Sequence, residues 1–398
     1  MRNFIPTTRK PPGNIPLTTG PRPALAAPVV GDRLGARRGR RPGGIFHPLF
    51  FRPAFPTFGF VRPAMLAALL LLAPAVRAWD YEGHRVINEI ALASLPTHFP
   101  AFVLTPAAAE RIAFLGGEAD RWRNTPDLVL RHHNGPDHYL DLEELFQHGL
   151  TLETTPPLRY EFITHLATNR FARPDQVPVV DPAQDKDRTR ALVGLLPWTI
   201  AEYQGRLKSA FSYLKAYQDY GGTGDEIANA QANIIYLMGV MGHFAGDASQ
   251  PLHTTKHHHG WVGPNPDGYT TNRSFHQWID GGYFNKVGIP TVEELRPRIR
   301  PARPLELQGR PAAPEETFLA ALRFIESSWK LVEPLYQLDK EGALSGDGEA
   351  GRRGRAFLTD RLLASGQFLG DLWLTAWQQA PEDKFLRDRL NARRRPAR

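Results

Sequence analysis

Apolar side chains recur at intervals of three and four residues along most of the chain after residue 80, which is the spacing of one face of an α-helix. The clearest stretch is 223–248, where Thr223 occupies the N-cap position and Pro251 follows the last turn. The same spacing predicts further helices at 84–95, 105–115, 158–171, 188–219, 315–333 and 352–380. Pro197 should kink or break the fourth of these helices. No stretch alternates between apolar and polar residues, so we predict an all-α fold.

The last two predicted helices carry long apolar stripes of the kind that normally lie in a protein core. These stripes are Phe318, Leu322, Ile325, Trp329 and Val332, and then Leu358, Leu362, Leu369, Trp373 and Trp377. We assign them no function beyond completing the core. The residues with candidate chemistry run from 79 to 280 and can meet only inside one domain. We therefore expect a single helical domain over 79–384 and a basic tail over 385–398.

The positive net charge of the chain suggests an anionic partner, but most of that charge lies in the N-terminal region. The sequence has 48 Lys+Arg and 41 Asp+Glu, for a net charge of +7. Residues 1–78 hold 12 Lys+Arg and one acid, Asp32, so they carry +11 and the remainder carries −4. The body of the protein is mildly acidic, and its bulk charge argues neither for nor against binding of nucleic acid.

The N-terminal region resembles a leader rather than part of the folded domain. Residues 64–75 form an apolar run that is shorter than the about 20 residues needed to span a bilayer. Arginines precede this run, and small residues at 76 and 78 flank a cleavage position. We expect 64–78 to be a signal peptide cut after Ala78, giving a secreted or periplasmic protein; the alternative is a buried helix. Residues 1–63, rich in Pro, Gly and Arg, are expected to be a disordered leader or an incorrectly assigned start.

The densest candidate chemistry lies in Met241–Thr254, which reads MGHFAGDASQPLHT. His243 and Asp247 are four residues apart and so share one helical face. His253 follows on the turn after Pro251. Two imidazoles and a carboxylate directed to one side of a helix end could form a metal site, although a single such histidine would more simply be a core residue.

Other segments supply further donors, and His276 and Asp280 repeat the spacing of four. The candidate donors are Trp79, His84, Asp120, His138, His243, Asp247, His253, His276 and Asp280. Nitrogen and carboxylate oxygen donors without sulfur suit zinc, and the absence of cysteine excludes thiolate sites and disulfides. Nine donors are too many for one ion and fit a cluster in which carboxylates bridge.

Four motifs in a fixed order carry a resemblance to a known family. They are a tryptophan followed five residues later by a histidine (79 and 84), Ala-Asp (119–120) followed by HYLD (138–141), GHFxGDxxQPLH (242–253) and HxxxD (276–280). Over Trp79–Phe284 the chain resembles the trinuclear-zinc, single-strand-specific nucleases, which share a superfamily with bacterial zinc phospholipase C. The resemblance implies one multi-helix domain with a zinc cluster at the bottom of a cleft.

The resemblance also implies roles for individual residues. Three zinc ions would be held by Asp120, His138, His243 and Asp247; by His253, His276 and Asp280; and by the free amine and carbonyl of Trp79 with His84 and the shared Asp247. Asp120 would orient the attacking water, and Arg123 and Asp141 would lie beside the scissile phosphate. Tyr139 would stack on a base, which contributes about 1–3 kcal/mol and tolerates any sequence.

The function that the resemblance implies is hydrolysis of single-stranded DNA or RNA and of 3′-nucleotides, with 5′-phosphate products. Zinc suits this reaction because it lowers the pKa of water to near 7 and neutralises phosphoryl oxygens. A phospholipase C is the nearest alternative, but that branch ends its second site with HxxxE where this chain has Asp280. A non-catalytic metal-binding exported protein is the alternative from another class. No protein partner is implied, and we expect a monomer.

The segment ahead of His276 departs from the family, which usually has Gly-Gly-Asn there, and the tryptophan of the last motif is shifted. This segment contains His257-His258-His259, for which we weigh a fourth metal site against a histidine-rich loop at the mouth of the cleft, and favour the loop. We assign His132-His133 to the surface. Trp261 and Tyr269 either line the cleft or fix the loop.

Overall fold

The structure is a computed structural model that describes residues 79–176, 179–183, 185–305 and 314–394. The expected leader, the signal peptide and residues 395–398 of the expected tail lie outside these ranges. Within them, no helix is both long enough and apolar enough to cross a bilayer.

Helices dominate the described residues, which contain no strand beyond an isolated antiparallel bridge between Leu140 and Gly194. The all-α prediction is confirmed. The helices are α1 (Tyr81–Ser94), α2 (Pro106–Leu115), α3 (Glu118–Arg123), α4 (Leu128–Asn134), α5 (Leu142–Gln147), α6 (Arg159–Ala172), α7 (Leu196–Tyr220), α8 (Gly224–Ser249), α9 (Phe275–Gln277), α10 (Tyr283–Val287), α11 (Val292–Leu295), α12 (Pro314–Trp329), α13 (Val332–Lys340), α14 (Gly348–Gln378) and α15 (Lys384–Arg393). Short 3₁₀ turns occur at Gly135–His138, Pro251–His253, Arg296–Arg298 and Ala343–Ser345, and a π-helical turn at Trp278–Gly282.

The helix α8 forms where the sequence predicts it. The Thr223 hydroxyl accepts from the Glu226 amide at 3.2 Å, and the Glu226 carboxylate accepts from the Thr223 amide at 2.7 Å. This capping box satisfies two backbone donors that the first turn leaves free. The helix ends at Ser249, and Pro251 opens the 3₁₀ turn that carries His253.

The predicted helix 188–219 is wrong over its first eight residues. The helix α7 begins at Leu196, with Pro197 in its first turn, where a missing N–H costs nothing. Upstream of it the chain is a loop whose backbone groups form hydrogen bonds to other segments. For example, the Val193 carbonyl accepts from the Asp141 amide at 2.8 Å. The expected basic tail is also helical over most of its length, as α15, and Arg393 forms an ion pair with Glu226 at 2.9 Å.

The core is built around α1, α8 and α14, with α7 and α12 packed on the same group. The helix α14 approaches α1 closely at Gly366, where an added Cβ would lie 2.4 Å from the Cγ2 atom of Ile90. Most of the predicted apolar stripes are buried, and Trp329 and Trp377 are half-buried at the edge of the core. The assignment of these stripes to the core is therefore confirmed.

Candidate metal centre

Eight of the predicted donors form three buried groups in which the ligand atoms lie within 4.8 Å of one another. The groups are His84, His243 and Asp247; Asp120, His138 and His243; and His253, His276 and Asp280. The C-terminal half of α8 is buried on all sides and supplies His243, which belongs to the first two groups, and Asp247, which belongs to the first. The other donors come from α1, α3, α9 and the short turns, so the centre joins segments that are far apart in the sequence.

The group around His138 has the spacing of a tetrahedral site. Its Nδ1 atom lies 2.9 Å from Asp247 Oδ2 and 3.0 Å from His243 Nε2, and the last two atoms are 3.3 Å apart. Asp120 Oδ1 lies 3.8 Å from His243 Nε2. Ligands bonded at about 2.0–2.1 Å around a tetrahedral zinc are separated by about 3.3 Å. The atoms of His138, His243 and Asp247 are therefore close enough together that they could hold one metal ion, with Asp120 beside them.

Asp247 links this group to the next one. Its Oδ2 atom faces His138 and His243, while its Oδ1 atom lies 3.5 Å from His84 Nε2. One carboxylate thus presents an oxygen to each of two sets of imidazoles, as a bridging ligand does. The ring of His84 stacks on that of His243, with centroids 3.9 Å apart.

The close approach of α1 to α8 at this point depends on Gly246. A Cβ atom there would lie 2.6 Å from His84 Nδ1. The buried indole of Trp79 donates to the carbonyl of Gly246 at 3.1 Å. Because Gly246 directly precedes Asp247, this bond holds Trp79 beside the segment of α8 that carries Asp247. The ninth predicted donor therefore lies against the segment that carries the shared carboxylate.

The third group lies where the π-helical turn begins. His276 Nε2 is 3.0 Å from His253 Nε2 and 3.1 Å from Asp280 Oδ2. Gln250 donates to the other oxygen of Asp280 at 2.6 Å. We expected a regular helical face at 276–280, and the structure places Asp280 in a π-helical turn, Trp278–Gly282, a feature that is often found at functional sites.

Hydrogen bonds fix the tautomers of two ligands. The Nδ1–H of His243 donates to the Gly116 carbonyl at 2.7 Å, and that of His253 donates to the His138 carbonyl at 2.7 Å. Both rings therefore have Nδ1 as the nitrogen bonded to the backbone and present Nε2 to the centre, which is the arrangement that metal-binding histidines use.

Burial sets the charge of the ligands. Burial lowers the pKa of His84, His253 and His276 below its ordinary value, and with Arg123 it lowers the pKa of His138 to about 4. These rings are neutral at neutral pH, the form that binds metals.

The carboxylates of the centre divide into two cases. Burial opposes the charge of Asp247, but His243 and His253 outweigh burial and hold the pKa of this carboxyl well below its usual range. The same pairing raises the pKa of His243, because Asp247 and Asp120 outweigh the burial of the ring. Burial raises the pKa of Asp280 despite the hydrogen bond from Gln250. Asp247 is thus the fixed negative charge of the centre.

Several buried polar atoms of the centre have no hydrogen-bond partner among the described residues. They are both ring nitrogens of His84, Nε2 of His138, Nδ1 of His276, and one oxygen each of Asp120, Asp247 and Asp280. Such atoms cost about 1–3 kcal/mol each when left unsatisfied. Because they are concentrated at one place, among neutral imidazoles and carboxylates, the three groups could hold metal ions.

A cleft of about 370 Å³ opens beside His253 and His276 and contains the other predicted site residues. Arg123 lies in it, 3.3 Å from Asp120 Oδ1. Asp141 is buried in its wall, and burial raises the pKa of this carboxyl well above its usual range. Tyr139 is half-buried with its hydroxyl 3.4 Å from the Leu192 carbonyl, and burial raises the pKa of this phenol.

The histidine run 257–259 divides between loop and cleft. His257 is buried and stacks on Trp261 with ring centroids 3.9 Å apart, whereas His258 and His259 line the cleft. The run belongs to none of the three ligand groups. Trp261 and Tyr269 pack against Tyr336 and so fix the loop, and His132-His133 lies exposed on α4.

Sequence reasoning missed two residues that hold ligands of the centre, through the Gly116 carbonyl and the Gln250 amide. It also missed Arg190, which lies in the cleft outside the centre. Gln250 stands inside the GHFxGDxxQPLH motif, so its role could have been found from the sequence. Comparison with protein-family models and with curated proteins found no match for this chain. The argument for function therefore rests on the motifs and on the geometry of the centre.

Proposed function

We propose that this chain is a zinc-dependent phosphodiesterase of the trinuclear-zinc, single-strand-specific nuclease type. It hydrolyses single-stranded DNA or RNA, 3′-nucleotides, or both, and leaves 5′-phosphate products. The observation that carries the proposal is the carboxylate of Asp247, which faces two imidazole sets with separate oxygens beside a third buried group. A bridged cluster next to a charged cleft suits a substrate that carries negative charge on phosphoryl oxygens.

The residues present fit the three ions that the motifs imply. As the motifs imply, the first would be held by Asp120, His138, His243 and Asp247, and the second by His253, His276 and Asp280. The third would be held by His84, Asp247 and the backbone of Trp79, whose indole donates to the Gly246 carbonyl. Bound zinc supplies a nucleophile at neutral pH and charge neutralisation on the phosphate.

The protein's own groups then position the substrate. Arg123 is half-buried in the cleft and held by Asp120, so its remaining N–H groups can donate to phosphate oxygens in a fixed orientation. Asp141 has a raised pKa and can keep a proton to donate within hydrogen-bond reach of the substrate. Tyr139 lines the same cleft and would stack on a base of the substrate.

One set of parallel assays separates this proposal from its alternatives. The mature chain is loaded with zinc and incubated with single-stranded DNA, RNA, 3′-adenosine monophosphate and phosphatidylcholine, each with and without chelator. We expect chelator-sensitive turnover of the nucleic acids or the nucleotide with little turnover of the lipid. Turnover of the lipid alone would indicate a phospholipase C, and bound zinc without any turnover would indicate a non-catalytic metal protein.

A further inference from the structure

The cleft contains an arginine for which the centre itself provides no role. Arg190 lines the cleft, and its exposed guanidinium forms no hydrogen bond or ion pair with any residue that the structure describes. Arg123, by contrast, is held by an ion pair with Asp120 at 3.3 Å. Arg190 is therefore a free cation at the site of a reaction on an anion.

The backbone around Arg190 is held in place although its side chain is free. The carboxylate of Asp185 accepts from the amides of Thr189 and Arg190 at 2.8 and 3.1 Å. On the other side, the Arg170 guanidinium donates to the Ala191 carbonyl at 3.0 Å. A cation projected from a fixed loop loses little conformational entropy when it binds a ligand.

Arg190 acts electrostatically on other residues of the cleft. Tyr139, His258 and His259 line the same cleft as Arg190. Burial lowers the pKa of His259, and the charges of Arg273 and Arg190 lower it further. Burial raises the pKa of Tyr139, and the charge of Arg190 works against that rise.

Acidic residues limit where a second anion can bind in the cleft. Glu144 and Asp187 line it together with Arg190, His258 and His259. Because carboxylates repel a phosphate, a second anion needs a cation that is not already paired. Arg190 lines the cleft and no described carboxylate holds it in an ion pair, so it can receive that anion.

We propose that Arg190, together with His258 and His259, forms a second phosphate subsite that binds the phosphate next to the scissile one in a polynucleotide. This inference rests on the proposed nuclease function and identifies its preferred substrate as an oligonucleotide rather than a mononucleotide. His259 contributes an N–H donor and Arg190 contributes the charge, while His258, whose Nδ1–H donates to the Thr255 carbonyl at 3.2 Å, borders the subsite.

The test compares three substrates that differ by one phosphate: a dinucleoside monophosphate and the same molecule with an added 5′- or 3′-phosphate. Cleavage of the internucleotide bond is followed by chromatography. We expect the wild-type enzyme to prefer one of the phosphorylated forms by roughly tenfold in kcat/KM, as a charge-assisted contact allows. In Arg190→Ala that preference should disappear, while kcat/KM for the dinucleoside monophosphate and for 3′-adenosine monophosphate stays unchanged.

Lys186→Ala is the matched control, because it removes one positive charge from an exposed residue of the same loop outside the cleft. Arg190→Lys should keep part of the preference. For longer single strands, Arg190→Ala should lower the slope of log KM against log salt by about 0.7, the value for one phosphate contact.

An equal loss on all substrates in Arg190→Ala, or no wild-type preference for either phosphorylated form, would overturn the subsite. Failure of the zinc-loaded wild-type protein to cleave any of these substrates would instead overturn the nuclease proposal itself. The two failures are therefore distinguishable in one experiment.

Discussion

Replacing Asp247 by Asn should remove two metal ions with one substitution. The Oδ2 atom lies 2.9 Å from His138 Nδ1 and 3.3 Å from His243 Nε2, and the Oδ1 atom lies 3.5 Å from His84 Nε2. An amide keeps the size of the side chain but loses the charge and one of the two acceptor oxygens. Both groups that share Asp247 would then lack a bridging carboxylate, while the His253 group would keep its own ligands.

The expected magnitude follows from the position of the residue. Removing a residue that only hydrogen-bonds to a metal ligand lowers metal affinity by about 10–100-fold. Removing the ligand itself should therefore lower the affinity for each of the two ions by more than about 100-fold. An ion present at about 1,000 times its Kd stabilises the folded state by about 4 kcal/mol. For a domain of roughly 300 residues, with an unfolding entropy of about 0.6 kcal/mol/K, this is about 6 °C per ion.

The assay measures zinc content by mass spectrometry and the melting temperature with and without exhaustive chelation. The wild-type protein should bind three zinc ions, and its melting temperature should fall on chelation by about 6 °C for each ion lost. Asp247→Asn should bind one zinc ion, and chelation should lower its melting temperature only by the amount expected for one ion. It should also lose nearly all turnover.

Asp141→Asn is the control for this experiment. It makes the same chemical change at another buried carboxylate of the site, which belongs to none of the ligand groups. It should keep three zinc ions and the full response to chelator even if activity falls. Near-normal zinc content or turnover in Asp247→Asn would show that Asp247 is not a shared ligand, and a wild-type melting temperature unaffected by chelator would show that the metals do not stabilise the fold.

Three further predictions concern the cleft and the third ion. Tyr139→Ala should raise KM for substrates that contain a base, because about 1–3 kcal/mol of stacking free energy is lost, while zinc content stays constant. Unchanged nucleotide affinity would contradict the stacking role. A chain that begins at Trp79 should bind one zinc more, and turn over faster, than a chain that begins at Ala78, because only the first has a free amine at Trp79; equal zinc content and rates would exclude the amine as a ligand. Gly246→Ala should displace His84 from the centre, since its new methyl group would lie 2.6 Å from that ring, and should lower zinc content by one ion without loss of helicity by circular dichroism.

Regular helical spacing predicts one pair of candidate donors correctly, His243 and Asp247, whereas most of the others are predicted from the motifs. Two donors four residues apart on α8 must share a face, and a proline after the helix brings the next histidine round the turn. The all-α class and the buried stripes of α12 and α14 follow from apolar spacing in the same way. These are local properties that a single segment determines.

The parts that could not be predicted depend on contacts between distant segments. The start of α7 at Leu196 depends on the loop 188–195 bonding to residues near Asp141 instead of forming a helical turn. Likewise, Arg190 lies in the cleft only because Asp185 and Arg170 hold its loop there. Neither arrangement leaves a periodic pattern in the sequence.

The motif at residues 242–253 combines packing and chemistry in a way that links stability to activity. Its glycine at 246 lets α1 approach, its acid at 247 faces imidazoles from two other segments, and the chain has no cysteine with which to join those segments covalently. Candidate ligands from α1, α3 and α8 meet at the centre, so removal of metal should weaken the fold and, under the proposed function, abolish turnover as well. Tyr139 and Arg190 line the cleft and belong to none of the ligand groups, so substitutions there should change substrate preference at constant stability. Under the proposed function, that contrast would separate residues that build the centre from residues that select the substrate.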